Sequence, residues 1–163
     1  MAEVLEFNDL FYTDFDPKLK NQFIMEIDGI PSYMIKTAGK PSIQFEKVTL
    51  DHINLKRHVK GKGEWQDIEI TMYDPITPSG AVTVMEWVRL SHESLTGRDG
   101  YSAMYKKDLD LYQLGPIGDK VEQWKLKGAW ISSFGAGDLD WADGAGIVEL
   151  SVTLTYDYAV LEF

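Results

Sequence analysis

The chain has 163 residues and a mass of 18.5 kDa, the size of one domain with short appendages at most. Apolar residues make up 44% and aromatics 12%, which is enough for a core and excludes a disordered chain. Sixteen Lys and Arg against 26 Asp and Glu leave a formal charge of −10, so the basic footprint of a nucleic-acid binder is missing. Cysteine is absent, which excludes a disulfide framework, thiol catalysis and zinc sites built on Cys, and fits synthesis in a reducing cytosol.

Residues 1–20 form the first segment, an arm that mixes Leu5, Phe7, Leu10, Phe11, Tyr12 and Phe15 with acids and shows no clean period. Its acids stand where a signal peptide needs a basic region followed by an apolar one, so an unexported chain is expected. The arm either frays or docks, on its own domain or on a neighbour. Burying a side chain of this size is worth roughly 1.5–3 kcal/mol, which makes six of them costly to leave in water.

Strand signals follow. Residues 23–27 (Phe-Ile-Met-Glu-Ile) lead into Asp28-Gly29, and residues 33–37 resume the pattern, so a hairpin is expected there despite Pro31. Residues 43–59 then run without Gly or Pro. Residues 65–73, with Ile68, Ile70 and Met72 alternating with Asp67, Glu69 and Thr71, read as their partner strand, and Lys60-Gly61-Lys62-Gly63 as the hairpin tip.

The length of the first of these strands carries an argument. Seventeen residues extend about 55 Å at ~3.3 Å each, whereas a compact domain of this size is roughly 40 Å across. The run must bend at a bulge, break, or project. Projecting as a two-stranded ribbon, it is marginal by itself and leaves Ile53 and Leu55 exposed near its outer end. Lys56, Arg57, His58, Lys60 and Lys62 add a basic knot to the same ribbon. No aromatic platform for stacking bases is interleaved with it. An acidic patch on an identical subunit is the more economical target, and such head-to-tail contacts generate rings or filaments. A solvated tip with no partner is the alternative.

Ser79 caps a helix expected over residues 80–90, with Val84, Met85 and Val88 on one face. Residues 91–120 read as loop with one short element near residues 109–114. The C-terminal part, residues 121–158, is β-rich. Residues 121–131 form one strand, and in residues 147–158 Val148, Leu150, Val152, Leu154 and Tyr156 alternate with Glu149, Ser151, Thr153, Thr155 and Asp157. The expected fold is mainly β: an antiparallel sandwich or open barrel in a single domain spanning 1–163, with one flanking helix and a long projecting hairpin at about 43–73. The longest apolar run, residues 158–161, is far too short to cross a membrane.

Signals for chemistry fail one by one. His52, His58 and His92 are the only histidines, and none sits in a nucleophile motif. His52 and His58 share a strand face in this reading but stand roughly 20 Å apart when extended, too far to hold one metal. Asp138, Asp140 and Glu149 match three positions of a calcium loop, yet Ala142 and Asp143 occupy the positions that need a ligand and a glycine. Gly61-Lys62-Gly63 lacks the rest of a phosphate-binding loop. Trp124 and Trp130 share parity with Leu126 and read as core, which leaves Trp141, in a Gly/Asp-rich loop, as the one candidate for stacking a sugar. No catalytic residue, cofactor or metal is expected.

In order and spacing, the segments resemble the tail tube protein of contractile-tailed bacteriophages, whose relatives form the inner tubes of contractile injection systems. Asn21-Gln-Phe-Ile-Met-Glu-Ile27 is similar to its opening strand and residues 36–42 (Lys-Thr-Ala-Gly-Lys-Pro-Ser) to its strand-to-loop element. Arg57, Gly61 and residues 65–73 resemble its long hairpin and return strand, and residues 85–89 (Met-Glu-Trp-Val-Arg) sit where it has a helix. Residues 125–133, Leu139-Asp-Trp141 and residues 147–158 resemble its closing part.

The resemblance implies a virion tail protein, assembled in the host cytoplasm, whose hexameric rings stack into a conduit for DNA and the tape-measure protein. Tail sheath, baseplate and terminator proteins are its implied partners, without specific DNA binding and without a membrane. An inner tube subunit of an injection system, and a monomeric sandwich that binds glycans, are the alternative functions. In the tube reading Phe7, Leu10, Phe11, Ile53, Leu55, Lys56, Arg57, His58, Lys60 and Lys62 are the candidates for the assembly interface. Asp67, Glu69, Thr71, Glu149, Ser151 and Thr153 are those for the lumen, with outside solvent as the alternative setting for these polar faces.

Overall fold

The computed structural model describes residues 15–163. The candidates Phe7, Leu10 and Phe11 lie outside the described residues. Among the described residues nine strands and two α-helices follow in order: β1 (Phe23–Glu26), β2 (Ile35–Ala38), β3 (Ile43–His52), β4 (Leu55–Trp65), β5 (Ile68–Tyr73), α1 (Gly80–Ser91), α2 (Ser102–Tyr105), β6 (Lys107–Leu114), β7 (Lys120–Gly135), β8 (Glu149–Thr155) and β9 (Tyr158–Leu161). Every pairing is antiparallel. Among the described residues, seven strands form one open sheet in the order β1-β6-β7-β8-β5-β2, with β9 added to the first half of β7, while β3 and β4 pair with each other.

Strand β7 makes this sheet two-layered. Its first half pairs with β6 and β9, its second half with β8. Between Leu126 and Ala129 the register against β6 slips by one residue, and Gly128 adopts φ 66. This bulge turns the strand from one layer into the other, and the core forms between the layers. Met25, Leu109, Leu111 and Leu126 meet Ile68, Ile70, Met72, Leu150, Val152 and Leu154, all buried. The alternation read in β8 holds, with Leu150, Val152, Leu154 and then Tyr156 inward. The bulge also reverses the parity on which Trp130 was placed in the core. Ala129 and Ile131 point inward instead, and Trp130 is half-buried, edge-on to Tyr105 with ring centres 6.1 Å apart.

Helix α1 closes one end of the core through Gly80, Val84 and Trp87, rather than through Met85. Its N-terminus packs so closely that a Cβ on Gly80 would lie 2.9 Å from Met34 Cε and 3.1 Å from the Tyr73 carbonyl. Ser79 stands at the N-cap position, but its side chain makes no capping bond. The cap comes from Asp74, whose Oδ1 accepts hydrogen bonds from the Gly80 and Ala81 amides at 2.9 and 3.3 Å. Strand β6, expected as a short element in a loop, is a full core strand with Leu109, Leu111, Tyr112 and Gln113 buried.

Two hairpin expectations are corrected. Asp28-Gly29 does make a tight turn, with Gly29 at φ 87 and an isolated bridge between Ile27 and Ile30, but the strands on either side diverge. Strand β1 pairs with β6 and β2 with β5, because Pro31 and the 3-10 turn Ser32–Met34 redirect the chain. In the long hairpin the reversal falls at Ile53-Asn54, not at residues 60–63. The segment 43–59 therefore breaks into both arms of one ribbon, and residues 68–73 join the main sheet as β5 instead of returning along the ribbon. The glycines read as a tip are slots within β4. A Cβ on Gly63 would lie 2.7 Å from the Phe45 ring, and one on Gly61 would lie 3.0 Å from the Glu46 carbonyl.

Replacing Gly128 by Ala forces a side chain into a left-handed backbone and against Asp157, whose Oδ2 lies 2.2 Å from the ideal Cβ position. The expected loss is about 1–3 kcal/mol in urea unfolding with an unchanged slope.

Candidate assembly surfaces

The ribbon of β3 and β4 leaves the body at a base closed by the Gln66 amide donating to the Ser42 carbonyl at 2.9 Å. There Trp65 packs against the core, 6.0 Å from Tyr156 between ring centres. Beyond that point no residue of either strand is buried. The register sorts the ribbon into two faces. Val48, Leu50, Leu55 and Val59 lie on one, together with His52 and Arg57. Lys47, Thr49, Asp51, Lys56, His58 and Lys60 lie on the other. The Lys60 ammonium on this polar face sits 4.4 Å from the Phe45 ring centre.

At the tip Ile53 adopts φ 51 and is 93% exposed, while Leu55 is 74% exposed. A β-branched residue in the left-handed region is strained and, in water, gains nothing from its exposure. Between residues 43 and 65, five Lys and Arg face three Asp and Glu, a local excess of positive charge on a chain of −10.

The histidines take no chemical role from this geometry. His52 pairs with Leu55 and His58 with Thr49, which puts the two on opposite faces of the ribbon instead of on one. His58 Nδ1 is 3.3 Å from Thr49 Oγ1 on the exposed ribbon, and His92 Nδ1 contacts Asp99 Oδ1 at 2.8 Å, also exposed. In the acidic loop Asp140 and Asp143 accept backbone N–H bonds from Ala142, Ala145 and Gly146, the work of ordinary turns. Trp141 is fully exposed there. No group of three metal-ligating side chains occurs among the described residues.

The second surface is the outer face of β5 and β8, opposite the core. Glu69 stands across from Thr153, Thr71 across from Ser151 and Tyr73 across from Glu149. Asp67 lies just before β5 and accepts a hydrogen bond from Thr155 Oγ1 at 2.9 Å. This face is less acidic than the sequence implies, because Lys36 of β2 pairs with Glu149 and lies 5.7 Å from the Tyr73 ring centre. Its hydrogen bond to Glu149 raises the Lys36 pKa above the ordinary lysine value. Lys36 escaped the sequence reading because the alignment of β2 beside β5 is visible only in the folded chain.

A third cluster also went unread. Glu122 on β7 binds Lys18, Lys40 and the Trp124 indole N–H, and its side chain is only 12% exposed. The hydrogen bond from Lys18 acts most strongly, opposed by burial and reinforced by Lys40 and Trp124, and it holds the carboxyl at about 2.

A mainly β body that presents a solvent-exposed amphipathic ribbon and an open sheet is built as a structural assembly subunit. Residues 19–160 match the T4-like virus tail tube protein gp19 family, and the chain belongs to it. The tail tube protein gp19 of Enterobacteria phage T4 is 26% identical over 145 residues, covering 85% of this chain and 88% of that protein. Two solved structures share the fold. The anti-feeding prophage tube-terminating cap superposes with a TM-score of 0.73 at 16% identity, over 93% of this chain and 95% of that one. The sheath–tube complex of the extracellular contractile injection system PVC gives 0.70 at 15% identity, over 92% and 93%. The chain is thus a structural tube protein of the virion tail, and its family is not one of enzymes.

The Glu122 cluster sets a pH dependence. Its folded pKa lies below the unfolded value of 4.5, so its contribution is complete above that value and is lost as pH falls through about 2. Chemical unfolding between pH 5 and pH 2 should show a loss on the order of 2 kcal/mol that Glu122→Gln does not share.

Proposed function

We propose that copies of this chain form hexameric rings that stack into a hollow tube, through which DNA and the tape-measure protein pass during genome ejection. The observation that carries this reading is the ribbon. Its apolar face and its strained apolar tip are stable only against a surface that the described residues do not supply, and a neighbouring copy supplies one at high local concentration. Ile53 and Leu55 anchor the contact, while Lys56, Arg57, His58, Lys60 and Lys62 steer it toward the acidic body of the next subunit. Sheath, baseplate and terminator proteins would meet the outside of the same tube. The occurrence of the PVC protein in a sheath–tube complex supports that setting.

The outer face of β5 and β8 is assigned to the lumen. Glu69, Thr71, Ser151 and Thr153 would form its polar lining, with Asp67 and the Lys36-paired Glu149 at its margins. Backbone pairing across subunit boundaries, at the edge of β2, would add stiffness and remove an open edge. A ring of six carries a formal charge of roughly −60, which disfavours adhesion of phosphate; salt screens that field beyond about 8–10 Å, so it biases passage without blocking it. The fold is shared with injection-system tubes, while the family match favours a phage tail.

Electron microscopy and sedimentation of the purified protein test the assembly directly. Rings or stacked tubes are expected, and a strictly monomeric species at high concentration would refute the reading. Ile53→Asp combined with Leu55→Asp should leave the subunit folded by circular dichroism and abolish tubes. Unfolding of the monomer would instead show that these side chains serve the core. Glu69→Lys should leave tubes intact and slow DNA release from reconstituted particles, and an unaltered release rate would remove Glu69 from the lumen.

A further inference from the structure

Strands β5 and β8 run side by side, and their two ends carry different things. At one end Ile68 stands across from Leu154, and the ribbon leaves the body there, its base closed at Ser42 and Gln66 and packed through Trp65 on Tyr156. At the other end Tyr73 stands across from Glu149, where the chain emerges from the loop of residues 136–148 between β7 and β8. The six residues of β5 separate the two ends, about 20 Å at ~3.3 Å each.

Residues 136–147 of this loop are all exposed. Trp141 is bare, Leu139 is 88% exposed and Ile147 71%. Three large apolar side chains on one loop have the composition of a contact surface. Asp138, Asp140 and Asp143 stand among them, with no Lys or Arg in the loop. Asp140 and Asp143 accept turn amides through Oδ1, and among the described residues none of the three acids is in an ion pair.

We propose that this loop receives the ribbon tip of a second copy, so that subunits join head to tail. The inference rests on the reading that the ribbon binds another copy, and it names the surface bound. Charge complementarity is the first argument. Residues 47–62 of the ribbon carry five Lys and Arg against the single acid Asp51, and among the described residues none of these cations is in an ion pair. Ile53 and Leu55 at the tip match the apolar side chains of the loop, while Lys56 and Arg57, next along the strand, face its aspartates and the open indole of Trp141. Other acidic surfaces serve less well. The outer face of β5 and β8 has its Glu149 paired with Lys36, and in the loop after α1 Glu93 holds Thr96 and Asp99 contacts His92.

Topology is the second argument. The ribbon's base and the receiving loop lie at opposite ends of one strand pair, so a contact between them joins two different patches on two copies. Such a contact leaves a ribbon at one end and a loop at the other of every assembly, and therefore propagates.

The absence of cysteine lets the contact be trapped between copies. Asn54→Cys, at the ribbon turn, and Ala142→Cys, beside Trp141, are made in separate full chains, mixed under assembling conditions and treated with a short bis-maleimide. A covalent dimer joined between positions 54 and 142, identified by peptide mass, is expected. Its yield should exceed by about tenfold that of Asn54→Cys mixed with Ile117→Cys, an equally open site (90% exposed) in the turn between β6 and β7. Equal yields overturn the proposal. Asp138→Lys with Asp140→Lys should raise the concentration needed for assembly about tenfold, and adding Lys56→Asp with Arg57→Asp in the same chain should restore it. Failure of the second pair to restore assembly also overturns the proposal. Micrographs of the same samples separate the outcomes. Tubes without the join between positions 54 and 142 remove the receiving loop and leave the tube standing, the join without tubes keeps the contact and removes the rings, and the absence of both removes both.

Discussion

An antiparallel ribbon of two strands satisfies its own backbone but buries no face, and by itself it is marginal in water. In this chain that ribbon is long, apolar along one side and basic along the other, and among the described residues it is anchored at its base, where Trp65 packs against the core and the Gln66 amide donates to the Ser42 carbonyl. The requirement to cover its apolar side is the constraint around which the rest is arranged. It explains why a strained isoleucine sits at the outermost turn, where an isolated protein gains most from Asn-Gly or Asp-Gly. The glycines inside β4 answer a separate need: Gly63 leaves room for the Phe45 ring, which lies beneath the Lys60 ammonium.

The body that carries the ribbon solves a different problem. A tube wall needs strands that seal one side and present polar groups on the other. Strand β8 does both through its two-residue period, with Leu150, Val152 and Leu154 in the core and Ser151 and Thr153 outside. The bulge at Gly128 lets β7 serve both layers, so one continuous strand ties the layer of β5 and β8 to that of β6 and β9. The core and the proposed polar lining therefore lie on opposite faces of the same strands.

Charge is segregated along the chain. Residues 1–14 carry acids and no Lys or Arg, while the ribbon is locally basic, all within a net charge of −10. Such segregation fits the proposed contact between the basic ribbon and the acidic body of a second copy. The paired acids Glu122 and Glu149 show that part of the formal charge is spent inside the subunit, which moderates any field inferred from composition.

The mainly β character, the flanking helix over residues 80–90 and the alternation of β8 were legible in the residues, because each rests on local periodicity. Ile53 and Leu55 are exposed as expected, but for another reason: they sit at the turn between β3 and β4, not along one continuous strand over residues 43–59. The position of the ribbon's turn was not legible: Gly61 and Gly63 carry the turn signal, yet they serve close packing against Glu46 and Phe45, partners set by register. The parity of Trp130 was hidden by a one-residue bulge, the cap of α1 by an aspartate six residues upstream, and the pairing of Lys36 and Glu122 by contacts between segments about a hundred residues apart. Sequence alone determined which faces are apolar and that one element needs a cover, since these are properties of neighbouring residues. Tertiary structure decided where strands turn, which strands adjoin and which charges neutralise one another, because those depend on distances that only the packed sheet defines.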